Sequence, residues 1–254
     1  MNAIRALAYA TFLGSLRARL FLYVLAVAVF MMLLSLPISG LGFNEQLRIV
    51  TDMAVGSAGL LGLFLTIYFG VSSISGEIEK RTVYNAISKP ISRTQFVLGK
   101  LMGVWLTVAV ALVGCYLAIE GVVYFKAGAF NWSLLLNLFY ALFEMGLLTA
   151  LAVFFSCVSK PLVASGMTVL TYLVGTQTDM IALWFSAQDR GVGLYTQALV
   201  WLIPNFRLFD IKSAVAYQIA IPLQQHVLMV LYTFCYMAFL LVLAAFSFQR
   251  RDLK

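Results

Sequence analysis

Apolar and polar positions along the chain fall into six apolar runs separated by shorter polar breaks. The runs cover 20–38, 53–73, 97–123, 132–156, 162–175 and 227–248. Most reach the roughly 18 residues that let a helix cross a bilayer. The fifth is the weakest, because Thr176, Gln177, Thr178 and Asp179 interrupt it before it extends toward Trp184. The pattern predicts an all-α, polytopic membrane protein with six transmembrane helices in one domain over 1–254.

Two further segments add helices that do not cross. Residues 1–19 carry Arg5, Arg17 and Arg19 beside Ile4, Leu7, Thr11 and Ala18. Basic residues with apolar neighbours fit a helix lying in the membrane interface; the alternative is an extension of the first span. Residues 185–225 follow the fifth run. There "YTQALVWLIP" (195–204) is apolar but too short to cross, and Pro204 and Pro222 punctuate the region. A re-entrant or interfacial helical hairpin satisfies its own backbone in that setting.

Composition agrees with the pattern. Hydrophobic residues make up 63% of the chain, charged residues 11%, and the mean hydropathy is +0.96. A soluble domain carries about a quarter charged residues, so this chain needs lipid around it. The net charge of +7 does not point to nucleic acid, because the basic residues flank the spans. Twelve Lys and Arg fall on the side of the termini and five on the other. The positive-inside bias then places both termini in the cytoplasm, with the protein in the cytoplasmic (inner) membrane. Cys115, Cys157 and Cys235 lie in or beside apolar runs without C-x-x-C spacing and read as small packing residues.

One polar break stands apart. "GEIEKRTVYNAISKPISRTQFVLGK" (76–100) concentrates Glu77, Glu79, Lys80, Arg81, Lys89, Arg93 and Lys100 between the second and third spans. Within the loop at 74–97, Val83 and Ile87 are i,i+4 neighbours that share an apolar face with Ala86. Pro90 stops that short helix, and Ser92 or Thr94 can cap the next. A small amphipathic helix held between two spans is a handle through which a cytoplasmic partner can move both.

The run Glu77–Ile78–Glu79–Lys80–Arg81–Thr82 with "ISKPISRTQFVLGK" (87–100) resembles the cytoplasmic loop of type-2 ABC exporter permeases. The basic end "FQRRDLK", the six spans, the N-terminal interfacial helix and the external hairpin are also similar to that family, so the resemblance covers the whole chain. It implies that the loop is a coupling helix docking on a separate ABC ATPase subunit. Glu77, Glu79, Lys80, Arg81, Thr82, Val83 and Ile87 would lie at or near that contact. It also implies a second permease copy or paralogue, with the dimer contact on the first and fifth spans. Ser165, Gly166 and Gly175 of the fifth are placed to serve it.

The chain carries no G-x-x-x-x-G-K-[ST] phosphate loop: Gly99–Lys100 is followed by Leu101, and no Gly stands five residues before Gly99. No catalytic constellation, cofactor site or metal site is expected on this chain, and ATP and Mg would belong to the partner ATPase.

Glu144, near the middle of the fourth span, is a carboxylate at bilayer depth. Such groups mark function by default, so Glu144 is a candidate for the substrate path; the alternative is a neutral Glu bonded to a neighbouring helix. Glu120 lies near the outer end of the third span, within reach of interfacial water. His226, the single histidine, reads as an interfacial residue. Gly56, Gly59 and Gly62, the pair Gly99 and Gly103, and Gly146 with Ala150 predict close helix packing. "PNFRLFDIK" (204–212) suits anchoring at the headgroup layer, capping of a transport path, or an external partner. The function that gathers most of these features is the membrane subunit of an ATP-driven exporter of an amphipathic substrate. An ion-gradient-driven transporter, which would want inverted repeats, and a non-transporting scaffold are the alternatives.

Overall fold

The computed structural model describes residues 3–39, 46–79, 92–128, 130–178, 180, 181, 183, 203–211 and 221–250. They form α1 (Ala3–Leu16), α2 (Arg19–Ser39), α3 (Gln46–Val71), α4 (Arg93–Ala127), α5 (Trp132–Val158), α6 (Pro161–Thr176) and α7 (Leu223–Arg250). Beyond α3 the ladder widens into a π-helical turn (Ser72–Gly76) and returns to α-helix over Glu77–Glu79, where the described residues of this arm end. A 3-10 turn (Phe206–Phe209) precedes α7, and no strand occurs among the described residues.

Short polar signals set the helix ends. Ser92 starts α4 with a capping box: its hydroxyl accepts from the Gln95 N–H at 3.3 Å, and Gln95 Oε1 accepts from the Ser92 N–H at 3.2 Å. Gly128, at φ 70°, closes α4 in the left-handed conformation that a side chain would strain. Asn131 caps α5, and Pro161 opens α6 in the first helical turn, where its missing N–H costs nothing.

Four helices among the described residues are long and apolar enough to cross a membrane, five when α1 and α2 count as one bent span. The fifth expected crossing coincides with α6, whose 16 residues extend about 24 Å, short of a hydrocarbon core about 30 Å thick.

The bundle is built around α5, which packs against α3, α4, α6 and α7. Its inner turns bury Leu147, Leu148, Ala152, Val153 and Ser156. Small residues allow the closest approaches. A Cβ built on Gly70 would lie 2.6 Å from the Cβ of Ala152, and one on Gly146 would lie 3.0 Å from Trp105 Nε1. That indole donates to the Leu142 carbonyl at 3.0 Å. Gly62 faces Leu112 and Met145, whereas Gly56 and Gly59 face open space. Leu228, Leu231, Phe234 and Val242 of α7 are exposed.

The N-terminal helix adopts a geometry between the two expected. It meets α2 at 60°, so it does not extend the span, and it packs along the start of α4. A Cβ on Gly99 would meet Leu7 at 2.8 Å, and one on Gly103 would meet the Ala8 carbonyl and Thr11 at 2.6 Å. The two glycines form a notch that holds α1.

The side opposite the charged loop is tied by polar contacts. Glu120 is buried rather than in interfacial water, and its Oε1 accepts from the Asn131 N–H at 2.7 Å. Tyr116 donates to Asn137 Oδ1 at 2.8 Å, and the Tyr140 hydroxyl lies 2.8 Å from His226 Nδ1. Much of the hairpin expected over 185–225 lies outside the described residues. Its described part folds inward: Phe206, Phe209 and Ile211 are buried, while Arg207, Leu208 and Asp210 are exposed. Asn205 donates its N–H to the Tyr232 hydroxyl at 2.8 Å and accepts from Thr178 Oγ1 at 3.0 Å. The aromatics of this segment are therefore core residues and not headgroup anchors.

Candidate functional site

The charged loop is rooted in the last turns of α3 and the first turns of α4. The sequence Ser72–Ser73–Ile74–Ser75–Gly76 offers three hydroxyls and no bulky exposed side chain, so it can tolerate a widened ladder. Ser73 Oγ donates to the Gly70 carbonyl at 2.8 Å, and Ser75 Oγ donates to the Val71 carbonyl at 2.7 Å. In a regular α-helix the Ser75 N–H would itself donate to the Val71 carbonyl. Here Ser156 of α5 intervenes. Its hydroxyl accepts from the Ser75 N–H at 2.7 Å and donates to the Val71 carbonyl at 2.7 Å. A side chain inserted into the ladder is a known cause of local helix distortion.

One turn further on, Lys100 of α4 pairs with Glu77 Oε1. Lys100 is 7% exposed, so its charge is held within the protein. Its Nζ lies 5.5 Å from the ring centroid of Phe96, which adds a cation–π attraction. Phe96 stacks on Phe248 of α7 at 5.8 Å with planes 12° apart. Arg93 donates from Nη1 to the Phe248 carbonyl at 2.9 Å, and its guanidinium sits 5.8 Å over the same ring. A cation at the C-terminal turn of a helix also meets the negative end of the helix dipole. Contacts therefore run from Glu77 through Lys100, Phe96 and Phe248 to Arg93, joining α3, α4 and α7 at the loop's base.

Of the residues expected at a partner contact, Glu77 and Glu79 are described; Lys80, Arg81, Thr82, Val83 and Ile87 lie outside the described residues. Glu77 is half-buried and turned to Lys100, whereas Glu79 is exposed. The described residues are helical up to Glu79 on one side and from Arg93 on the other, so both described ends of the interval 74–97 are helical continuations of the spans.

A family model for ABC-2 family transporter proteins matches residues 11–253, nearly the whole chain. The chain belongs to the ABC-2 family. It is thus a multi-pass membrane permease of an ABC transporter, and membership implies pairing with an ABC ATPase. No curated protein matches it.

Within this ABC-2 permease the other expected site residues divide. Glu144, midway along α5, accepts from the Tyr172 hydroxyl of α6 at 2.9 Å. Phe206 packs on Tyr172 at 5.0 Å, so the inward-folded segment 203–211 roofs the polar pair. Ser165 Oγ donates to its own helix at Leu162, and Gly166 is exposed with nothing within 4 Å of a Cβ. Leu162, Leu170 and Leu173 are exposed on the same helix. Gly175 differs, because Pro204 and Phe206 of this chain already cover it; it serves internal packing and not an open face. Ser156, Ser75, Phe96 and Phe248 were not singled out from sequence. The hydroxyl-rich "SSISG" is a local signal for Ser75 alone.

Proposed function

We propose that this permease is the membrane-spanning subunit of an ATP-driven exporter, with the loop after Glu79 as the element that receives force from the ATPase. The observation that carries the reading is the clamped root: Glu77 and Lys100 tie the two arms of the loop together, and Arg93 ties the second arm to α7. A push on a loop so rooted moves three helices rather than bending a free hinge. Exposed Glu79 supplies an acidic group for the contact, with Lys80, Arg81, Thr82, Val83 and Ile87 beside it, and Glu77 positions the root.

Six spans, with α2 as the first and short α6 as the fifth, put both termini in the cytoplasm with the excess of basic residues. A second copy or paralogue docks on the face of α6 that carries Ser165 and Gly166. ATP and Mg bind the partner ATPase. The substrate is amphipathic and meets Glu144 on its path.

The test is co-purification of the permease with its ATPase, before and after Glu79→Lys. The reading expects the complex and its ATP turnover to weaken at least tenfold. Full retention of both would remove Glu79 from the contact, and failure of the unaltered chain to bind any ABC ATPase would sink the proposal.

A further inference from the structure

The hydroxyl of Ser156 stands in the gap of a hydrogen bond that α3 would otherwise make with itself. Ser75 is buried, and its N–H has two acceptors in reach of its helix position: the Val71 carbonyl of the regular ladder, or Ser156 Oγ from α5. The first gives an α-turn and the second keeps the π-turn. A buried N–H does not go without a partner, so the choice is between two discrete arrangements. Ser156 is fully buried, and the bonds to the Ser75 N–H and the Val71 carbonyl both lie within the bulge.

From this geometry we infer that Ser156 is the positioning residue that sets the rotational register of the loop's root, holding it in the π-form while inserted and releasing it to the α-form when withdrawn. A π-bulge carries one residue more than the α-ladder. Its collapse turns everything beyond it by about 100° and shifts it by about 1.5 Å along the axis. Glu77 then leaves Lys100, and Glu79 faces a different direction. The Gly70–Ala152 contact lies one turn away on both helices, and its backbones are too close to slide independently. It acts as a fixed point, so Ser156 is withdrawn by rotation of α5 about that point and not by separation of the helices. Loop register and α5 orientation are exchanged for one another through a single hydroxyl. What drives the exchange rests on the function proposed above; the two-register root does not.

The experiment uses the full chain in lipid nanodiscs, with the three native cysteines replaced and spin labels at Glu79→Cys and Val242→Cys, both exposed positions. Pulsed electron spin resonance reads the distance between them. Ser156→Ala should displace the main distance by roughly 5–8 Å, the sweep of such a turn at a helix surface. Ser156→Thr, which keeps the hydroxyl, and Ser73→Ala, which removes a bulge hydroxyl that bonds only within α3, should keep the parent distance. If Ser156→Ala does not fold, Ser156→Gly, which also lacks the hydroxyl and adds no thiol to the labelled background, should show the displaced distance. An unchanged distance in the Ala variant, or in the Gly variant where Ala fails, overturns the inference. So does an equal displacement in Ser73→Ala. No ATPase is present, so the outcome is independent of whether the loop docks on one.

Discussion

Lys100 of α4 and Glu77 at the foot of α3 form an ion pair across the loop they bracket, 23 positions apart in sequence. The lysine is buried and the carboxylate about one-third exposed. Losing one member of a fully buried pair costs about 3–5 kcal/mol, and partial exposure lowers that here. Lys100→Met should destabilise the permease by about 1–3 kcal/mol. The double variant Glu77→Gln/Lys100→Met should recover at least half of the loss. Thermal unfolding in detergent of the four members of the cycle checks this; strict additivity would show that the pair carries no coupling energy.

The glycines should separate sharply under substitution. Gly70→Val meets Ala152 backbone-close and should cost about 1–3 kcal/mol or abolish folding. Gly56→Ala and Gly59→Ala meet open space and should change stability by no more than about 1 kcal/mol in either direction. Gly62→Ala, with Leu112 at 3.2 Å, should fall between. The ranking is read from melting temperatures of the set, and a tolerant Gly70→Val would contradict the α3–α5 approach.

Glu120 is tied to the start of α5. Glu120→Ala removes the acceptor of the Asn131 N–H and should cost about 1–3 kcal/mol. Glu120→Gln retains an acceptor oxygen and should cost less. Amide exchange at Asn131 should speed up in the Ala variant and stay slow in the Gln variant; equal exchange in both would deny the bond.

Tyr172 and Glu144 test whether the half-buried carboxylate is used. Tyr172→Phe removes the hydroxyl that donates to Glu144 and should cost about 0.5–1.5 kcal/mol. Glu144→Gln preserves the acceptor and the size, so the fold should hold. If Glu144 serves the substrate path, substrate-stimulated ATP turnover of the complex should fall several-fold in Glu144→Gln. Turnover at the parent level would make it a packing residue.

Much of the architecture could be read along the chain because lipid imposes one rule: apolar runs become helices. Ser92 was legible as one of two candidate caps, with Thr94, because a cap acts within its own turn; the reciprocal bond from Gln95 decides between them. The charged loop announced itself by contrast with its flanks. The π-turn was hidden, since its cause is Ser156, 81 positions away from Ser75, and nothing local in "SSISG" demands a fifth residue in the turn. The inward fold of Phe206 was hidden for a similar reason. Aromatic residues beside Arg207 and Asp210 suit either a headgroup layer or a core, and only the bare surface of Gly175 decides which.

The notch of Gly99 and Gly103 ties the first helix of the chain to the fourth. Seated there, α1 behaves as an outrigger: whatever tilts the shaft of α4 also lifts or lowers this lateral arm. Work done at the loop thereby reaches the chain's N-terminal helix as well.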